Sequence, residues 1–214
     1  MELVDVWPFA DLSLRTPRLE LRPVRDDDIA GLVEAALRGI HDPARMPFAF
    51  PWTDAEPEVL ARELARHVWR ERAGIRPEGW TLLFAVLEDG VPIGVQDLRA
   101  EGFAALRTVS SGSWLTASRQ GDGLGTEMRA AVLSFAFDHV GAVVAESGAL
   151  DWNAASLAVS KRLGYRDNGI KRVMSRDRVE TEQLVRLEVG EFVRPSWTLD
   201  VSGFGDRVRA RLGV

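Results

Sequence analysis

Residues 107–140 place three demands in succession on any fold. "RTVSSGSWLT" (Arg107–Thr116) reads as a strand. "QGDGLG" (Gln120–Gly125) then sets glycines at 121, 123 and 125. "TEMRAAVLSFAFDHV" (Thr126–Val140) follows at once as a helix. Met128, Val132 and Phe135 fall on one stripe of it, and Ala130, Leu133 and Phe137 on the next. A helix apolar over so much of its circumference has to be buried, and the expected place is against a sheet. The chain is thereby committed to a layered fold in which strand, glycine loop and helix form one unit.

Three glycines at a strand-to-helix junction have two explanations. One is a mobile turn. The other is close approach of a ligand. Bare N–H groups at the start of a helix, with the positive end of its dipole, attract an anion, most often a phosphate. Spelling excludes two well-known phosphate loops. No Gly-Lys-Ser/Thr follows Gly121, and the 121, 123, 125 spacing does not fit G-x-G-x-x-G.

The remaining segments mix strands and helices. "RLELRPV" (Arg18–Val24) alternates as a strand, and "RDDDIAGLVEAAL" starts a helix with Asp26 or Asp27 as N-cap. "HDPARMPFAFPWTD" (His41–Asp54) has prolines at 43, 47 and 51 and cannot be helical. "PEVLARELARHVWRERAG" reads as an amphipathic helix, and "WTLLFAVLEDGVPIGVQDL" as a hairpin turning at Asp89-Gly90. "AVVAES" is a strand. "NAASLAVSKRLG" is a helix capped by Asn153, with Gly164 just past its end. "KRVMSRD" and "TEQLVRLEV" pair as a closing hairpin, whereas residues 190–214 form an extension without a readable pattern. No repeat or linker divides the chain, so the expectation is a single α+β domain over residues 1–214.

Composition narrows the chemistry. Apolar residues make up 46% of the 214, which predicts a packed globule. Cysteine is absent, excluding disulfides, thiolate metal sites and a cysteine nucleophile. The three histidines (His41, His67, His139) are widely spaced, so no metal is expected. Net charge is −5 and arginine is not clustered, which argues against nucleic acid. No apolar run is long enough to cross a membrane and "MELVDVWPFADLSLR" is no signal peptide, so a cytoplasmic protein is expected.

The element order and three motifs resemble the GNAT superfamily of acyl-CoA N-acyltransferases, in particular its RimJ/RimL-like branch. The motifs are "TPRLELRPVRDDD", the Q-x-x-G-x-G of Gln120, Gly123 and Gly125, and "NAASLAVSKRLGY". The likeness spans roughly residues 14–190. It implies a central twisted mixed sheet flanked by helices, with a splayed parallel strand pair holding CoA. It also implies that Gln120, Gly121, Gly123, Leu124, Gly125 and Thr126 wrap the CoA diphosphate, the last three offering N–H groups. The Leu115 main chain would pair with the pantetheine arm, which Asn153 and Ser156 would also touch.

Catalytic roles follow from the same resemblance. Many relatives protonate the leaving thiolate with a tyrosine where Ser160 stands; Ser160 or Ser156 replaces it here. Asn153, Ser156 and Ser160 share one helix face, which could equally be its wet side. A strand N–H after Ser110 would serve as oxyanion donor. The glutamate base common near that position is missing. His41, Asp42, Asp97, Glu146 and Asp151 stand as substitutes, each also explicable as a surface or paired charge. His41, Phe48 and Trp52 would line the acceptor site, or belong to a stiff loop packed on the core; Trp114 reads as core. "GIHDPARMPF", "PWT" and "GYRDNGI" look like an actinobacterial subgroup with succinyl-CoA-dependent members. The donor is then acetyl-CoA or succinyl-CoA, with Arg45 one candidate for the succinyl carboxylate. The acceptor is a peptide or small-molecule amine, and a homo-oligomer is compatible with the pattern. Two other readings stand beside this one. The chain could be a non-catalytic acyl-CoA sensor, or an enzyme for antibiotic-like amines, which a strongly acidic cleft would favour.

Overall fold

The computed structural model describes residues 1–214. The strands are β1 (Ser13–Arg15), β2 (Glu20–Pro23), β3 (Gly79–Glu88), β4 (Val91–Glu101), β5 (Thr108–Ser110), β6 (Ser113–Leu115), β7 (Val144–Leu150), β8 (Arg166–Ser175), β9 (Arg178–Glu188) and β10 (Asp200–Ser202). The helices are α1 (Leu3–Val6), α2 (Asp26–Leu37), α3 (Pro57–Ala73), α4 (Phe103–Leu106), α5 (Leu124–Ser134), α6 (Ala154–Arg162) and α7 (Asp206–Leu212). One ten-stranded sheet runs β10-β1-β2-β3-β4-β5-β7-β9-β8, and β6 pairs only with β4. Every pairing is antiparallel except β5 with β7. The α+β architecture is thus as expected, with helices on both faces of a mixed sheet.

Two hairpins form where turn chemistry favours them. Asp89 and Gly90 both take positive φ, 49° and 79°, as a tight hairpin turn between β3 and β4 requires. Arg176 and Asp177 do the same between β8 and β9 at 45° and 58°. The N-cap reading of α2 needs correction. Arg25 is the cap residue, and Asp28 at the third helical position reaches back to the Arg25 N–H at 2.8 Å. Asp28 is buried because Arg22 grips both its oxygens, at 2.7 and 2.8 Å. A carboxylate here satisfies a helix-start N–H and a half-buried guanidinium together.

The expected strand Arg107–Thr116 is two strands. β5 ends at Ser110 and β6 begins at Ser113, because Gly112 leaves the ladder. Its N–H points to Asp97 Oδ1, 2.7 Å away, instead of a β4 carbonyl. β5 stays beside β7, Thr108 to Ser110 facing Val144 to Glu146. β6 follows β4 alone, Ser113 to Leu115 facing Gln96 to Gly94. A gap therefore opens between β6 and the far end of β7.

The helix after the glycine loop starts at Leu124, two residues earlier than expected, and its last turn widens to a π-type turn from Phe135 to Val140. Its all-round apolar surface is explained by a cover on both sides. One side lies on the sheet. The C-terminal extension closes the other: Phe204 meets Phe135 edge-on at 4.9 Å, and Phe192 packs on Phe137 at 5.5 Å. The extension also adds β10 beside β1 and brings the Leu212 carbonyl to the Trp80 indole N–H at 3.0 Å. Val208 and Leu212 are members of the main core, so residues 190–214 belong to the same packed unit.

Candidate active site

The site is built around the gap. In an antiparallel ladder successive N–H groups point alternately toward and away from the partner strand. Asp97 N donates to Gly112 O at 2.9 Å and Thr116 N to Ile93 O at 2.8 Å. The alternation therefore turns the Ser113 and Leu115 N–H groups away from β4, into the gap. The Leu115 carbonyl accepts from Gln120 Nε2 at 2.8 Å. The same nitrogen donates to the Ile40 carbonyl at 2.6 Å. Gln120 is thus a staple holding loop, strand and the segment after α2 together. The expected oxyanion N–H after Ser110 also shifts. Ser111 N donates to Glu146 O and Gly112 N to Asp97, so Ser113 is the first strand residue whose N–H faces the gap.

The glycine loop ends in the N-terminus of α5. Gly121 and Gly123 adopt φ of +90° and +82°, conformations that other residues reach at a cost. Gly125 does not: its backbone is helical, and a Cβ there would meet nothing closer than Leu115 Cδ1 at 4.0 Å. The fold itself does not require glycine at 125. The Thr126 N–H, expected to be bare, donates to Gly123 O at 3.1 Å. Leu124 and Gly125 are the first-turn donors that remain. Arg18 straps this region. Its guanidinium pairs with the buried Glu127 and donates to the Asp122 carbonyl at 3.0 Å. Arg18, Arg162 and Arg194 line a crevice with Gly123 and Thr126; Arg18 is paired with Glu127 and Arg194 with Asp138, which leaves Arg162 as the arginine there without a carboxylate partner. The charge on Arg18 was missed in the sequence because its partner lies 109 residues away.

On α6, Asn153 Oδ1 accepts the Ser156 N–H at 3.2 Å, the expected cap. Ser160 is buried at 3% exposure. Its hydroxyl donates to the Ser156 carbonyl at 3.3 Å and accepts from Arg129 Nη1 at 3.0 Å. Arg129 is a residue the sequence pattern hid, a cation within an apolar helix. It is 5% exposed and has no carboxylate partner. Its other terminal nitrogen reaches Ser113 Oγ at 3.5 Å. Arg129 Nε, Tyr165 OH, Ser111 Oγ and Gln96 Oε1 are buried side-chain atoms without a hydrogen-bond partner. Burial pushes the Tyr165 hydroxyl up, and Arg129 and Ser111 beside it pull it partly back.

The opposite sheet face carries an aromatic chain. His41 and Phe48 are 5.8 Å apart, Phe48 and Trp52 5.5 Å, and Trp52 and Trp114 5.7 Å. Trp114 is therefore part of this wall as well as of the packing beneath it. The β8–β9 turn holds the loop in place: Ser175 Oγ donates to Phe48 O at 3.0 Å, and Arg176 pairs with Asp54. Among the carboxylates, Asp42 and Asp151 are exposed and Glu146 is paired with Arg186. Arg45 is exposed and lies over the Trp152 ring. Asp97 alone is at the apex of the gap, with one oxygen on Gly112 N and the other on Arg99. Burial raises its pKa against the pull of Arg99. His67 on α3 feels both of these groups. Its pKa is lowered, chiefly by desolvation, against the opposing pull of Glu71 3.5 Å away.

The helix start with its free Leu124 and Gly125 N–H groups, the open edge of β6 and the buried Ser160 hydroxyl lie around one gap. The sequence profile of the GNAT acetyltransferase domain matches residues 18–166, and the chain belongs to that family of acyl-CoA-dependent N-acyltransferases. Among solved structures it is similar to Mycobacterium smegmatis RimJ in complex with a CoA disulfide, at 24% identity and TM-score 0.69, covering 88% of this chain and 91% of that one. A RimL ribosomal-protein α-N-acetyltransferase bound to coenzyme A matches at 15% identity and TM-score 0.68, over 81% and 96%. A GCN5-related N-acetyltransferase from Brucella melitensis matches at 20% and 0.66, over 84% and 79%.

Proposed function

We propose that the protein transfers an acetyl or succinyl group from acyl-CoA to a primary amine by direct attack within a ternary complex. The observation that carries this is the gap at Gly112. Acyl-CoA would lie along β6, its diphosphate against the Leu124 and Gly125 N–H groups and its amide arm on Ser113 and Leu115. The amine would approach from the aromatic face past Phe48, Trp52 and Trp114. Its nitrogen bonds to the thioester carbon, the C–S bond breaks, and the Ser113 N–H receives the developing oxyanion. Ser160, polarised by Arg129, gives its proton to the thiolate, with Ser156 its neighbour on the same face.

The amine must lose a proton. Both Asp97 oxygens are engaged, so we assign this step to water relayed toward His67. A weak relay favours amines that are already partly neutral, which supports an α-amine as acceptor. Two carboxylates near the aromatic wall, Asp54 and Asp97, are paired with arginine, which weakens the case for a polycationic drug. The test is a thiol-release screen of acyl-CoAs against N-terminal peptides, lysine peptides and small amines. The reading requires amine-dependent release of free CoA; binding of acyl-CoA with no turnover on any amine would reduce the protein to a sensor.

A further inference from the structure

The aromatic wall presents rings and few free polar groups. His41, Phe48, Trp52 and Trp114 are each half-buried, so part of every ring meets solvent. Phe48, Trp52 and Trp114 pack from behind on the buried Ala36, Ile40 and Leu60, which fixes their positions. The polar groups of the same loop are spent within the protein. His41 Nδ1 lies 2.9 Å from the Asp42 carbonyl and Nε2 lies 2.7 Å from Thr53 Oγ1, so both ring nitrogens are engaged. Asp42 Oδ1 accepts the Ala44 N–H, and Arg176 holds both Asp54 oxygens. A row of rings among satisfied polar groups is suited to an apolar surface.

We infer that Trp114, Trp52 and Phe48 are specificity-determining residues that receive a bulky apolar or aromatic side chain on the carbon next to the acceptor amine. The protein then acylates N-termini that begin with phenylalanine or leucine in preference to glycine, serine or a charged residue. This deepens the acyl-transfer reading and rests on it. The first side chain of a peptide is attached one carbon from the attacking nitrogen. Trp114 directly follows Ser113, whose N–H faces the gap and is assigned the oxyanion. The first side chain is therefore the part of the acceptor that falls beside Trp114 when the amine reaches the thioester. An extended peptide sends alternate side chains to opposite sides, so the second residue points away from the wall. A carboxylate in the first position would lose hydration and gain no partner.

The test uses peptides that contain no lysine and differ only in the first residue, assayed for kcat/KM on the unmodified protein with acetyl-CoA and succinyl-CoA. Every peptide offers an α-amine, so the nucleophile stays the same across the set. Phenylalanine-first and leucine-first peptides are expected to exceed the glycine-first peptide by about 10-fold or more, the gain from covering much of one apolar side chain. Moving the phenylalanine to second place should forfeit most of that gain. In Trp52→Leu, Phe48→Leu and Trp114→Leu the ratio of phenylalanine-first to glycine-first should fall by about threefold or more, the worth of one ring contact. If Trp114→Leu does not fold, the two loop variants and the unmodified protein decide. Equal rates across the set, an equal gain from a second-place phenylalanine, or an unchanged ratio in every folded variant overturns the inference and leaves acyl transfer standing. An arginine-first peptide as the best acceptor also overturns it, because the rings would then be attracting charge. Absence of transfer to every peptide and small amine removes the acyl-transfer reading and this inference with it.

Discussion

Gly125 separates what the fold needs from what the ligand needs. Its backbone is helical and the space around a would-be Cβ is open to 4.0 Å. Gly125→Ala should therefore raise the stability of the ligand-free protein by roughly 0.5–1 kcal/mol, since glycine in a helix is the more costly residue. For a chain of this size that is about 1–4 °C in Tm. Gly125→Glu should be no less stable, because a carboxylate in the first turn suits the helix dipole. Ligand binding should move the other way. A carboxylate about 5 Å from a dianionic diphosphate costs about 1.7 kcal/mol even at the dielectric of water. That corresponds to about 15-fold weaker CoA binding. Thermal melting without ligand and calorimetry with CoA read the two effects separately. Gly123→Ala is the contrast: at φ +82° it should lose stability, by about 1 kcal/mol or more. A folded Gly125→Glu protein with unchanged CoA affinity would refute the placement of the diphosphate.

Three further outcomes are expected. Ser160→Ala should lower kcat by about 100- to 10,000-fold with CoA affinity unchanged. It should also lower Tm, because it strips a partner from a buried guanidinium at about 1–3 kcal/mol; near-normal turnover would pass the proton to Ser156 or water. A peptide with a free N-terminus and blocked lysine should outpace its converse at pH 7. An α-amine is neutral in about one molecule in six there, a lysine in about one in 2,500; a faster lysine peptide would reveal a strong base among His41, His67, Asp97 or Glu146. Removing residues 191–214 uncovers Phe135 and Phe137 and should abolish soluble, cooperative folding, which circular dichroism melts would show; a stable truncated protein would contradict the role given to the extension.

The elements carried by short-range signals were legible in the sequence: both hairpins, the Asn153 cap, and the strand–glycine–helix unit. What escaped depends on distant partners. Arg129 sits on a helix whose apolar periodicity hides it, and its meaning comes from Ser160 and Ser113. Gln120 looked like a ligand contact by motif, yet its side chain spans Ile40 and Leu115. The break at Gly112 was only hinted at by the Ser-Gly-Ser run, a breaker signal inside a strand pattern, and its place is fixed by Asp97 on the neighbouring strand. The C-terminal extension has weak local preferences and takes its shape from the helix it covers. Its signal was present in α5, which carries more apolar surface than a sheet alone can bury.

The interruption at Gly112 also bears on how the protein avoids association. A strand with unpaired N–H and C=O groups is an adhesive edge, and proteins blunt such edges to prevent aggregation. β6 has an unpaired side, but it faces β7 across the gap rather than an outer margin of the sheet. The outer margins are a three-residue β10 and the heavily charged β8. The molecule thus turns one adhesive strand edge toward its own gap, where the amide arm of the proposed acyl-CoA would complete the sheet.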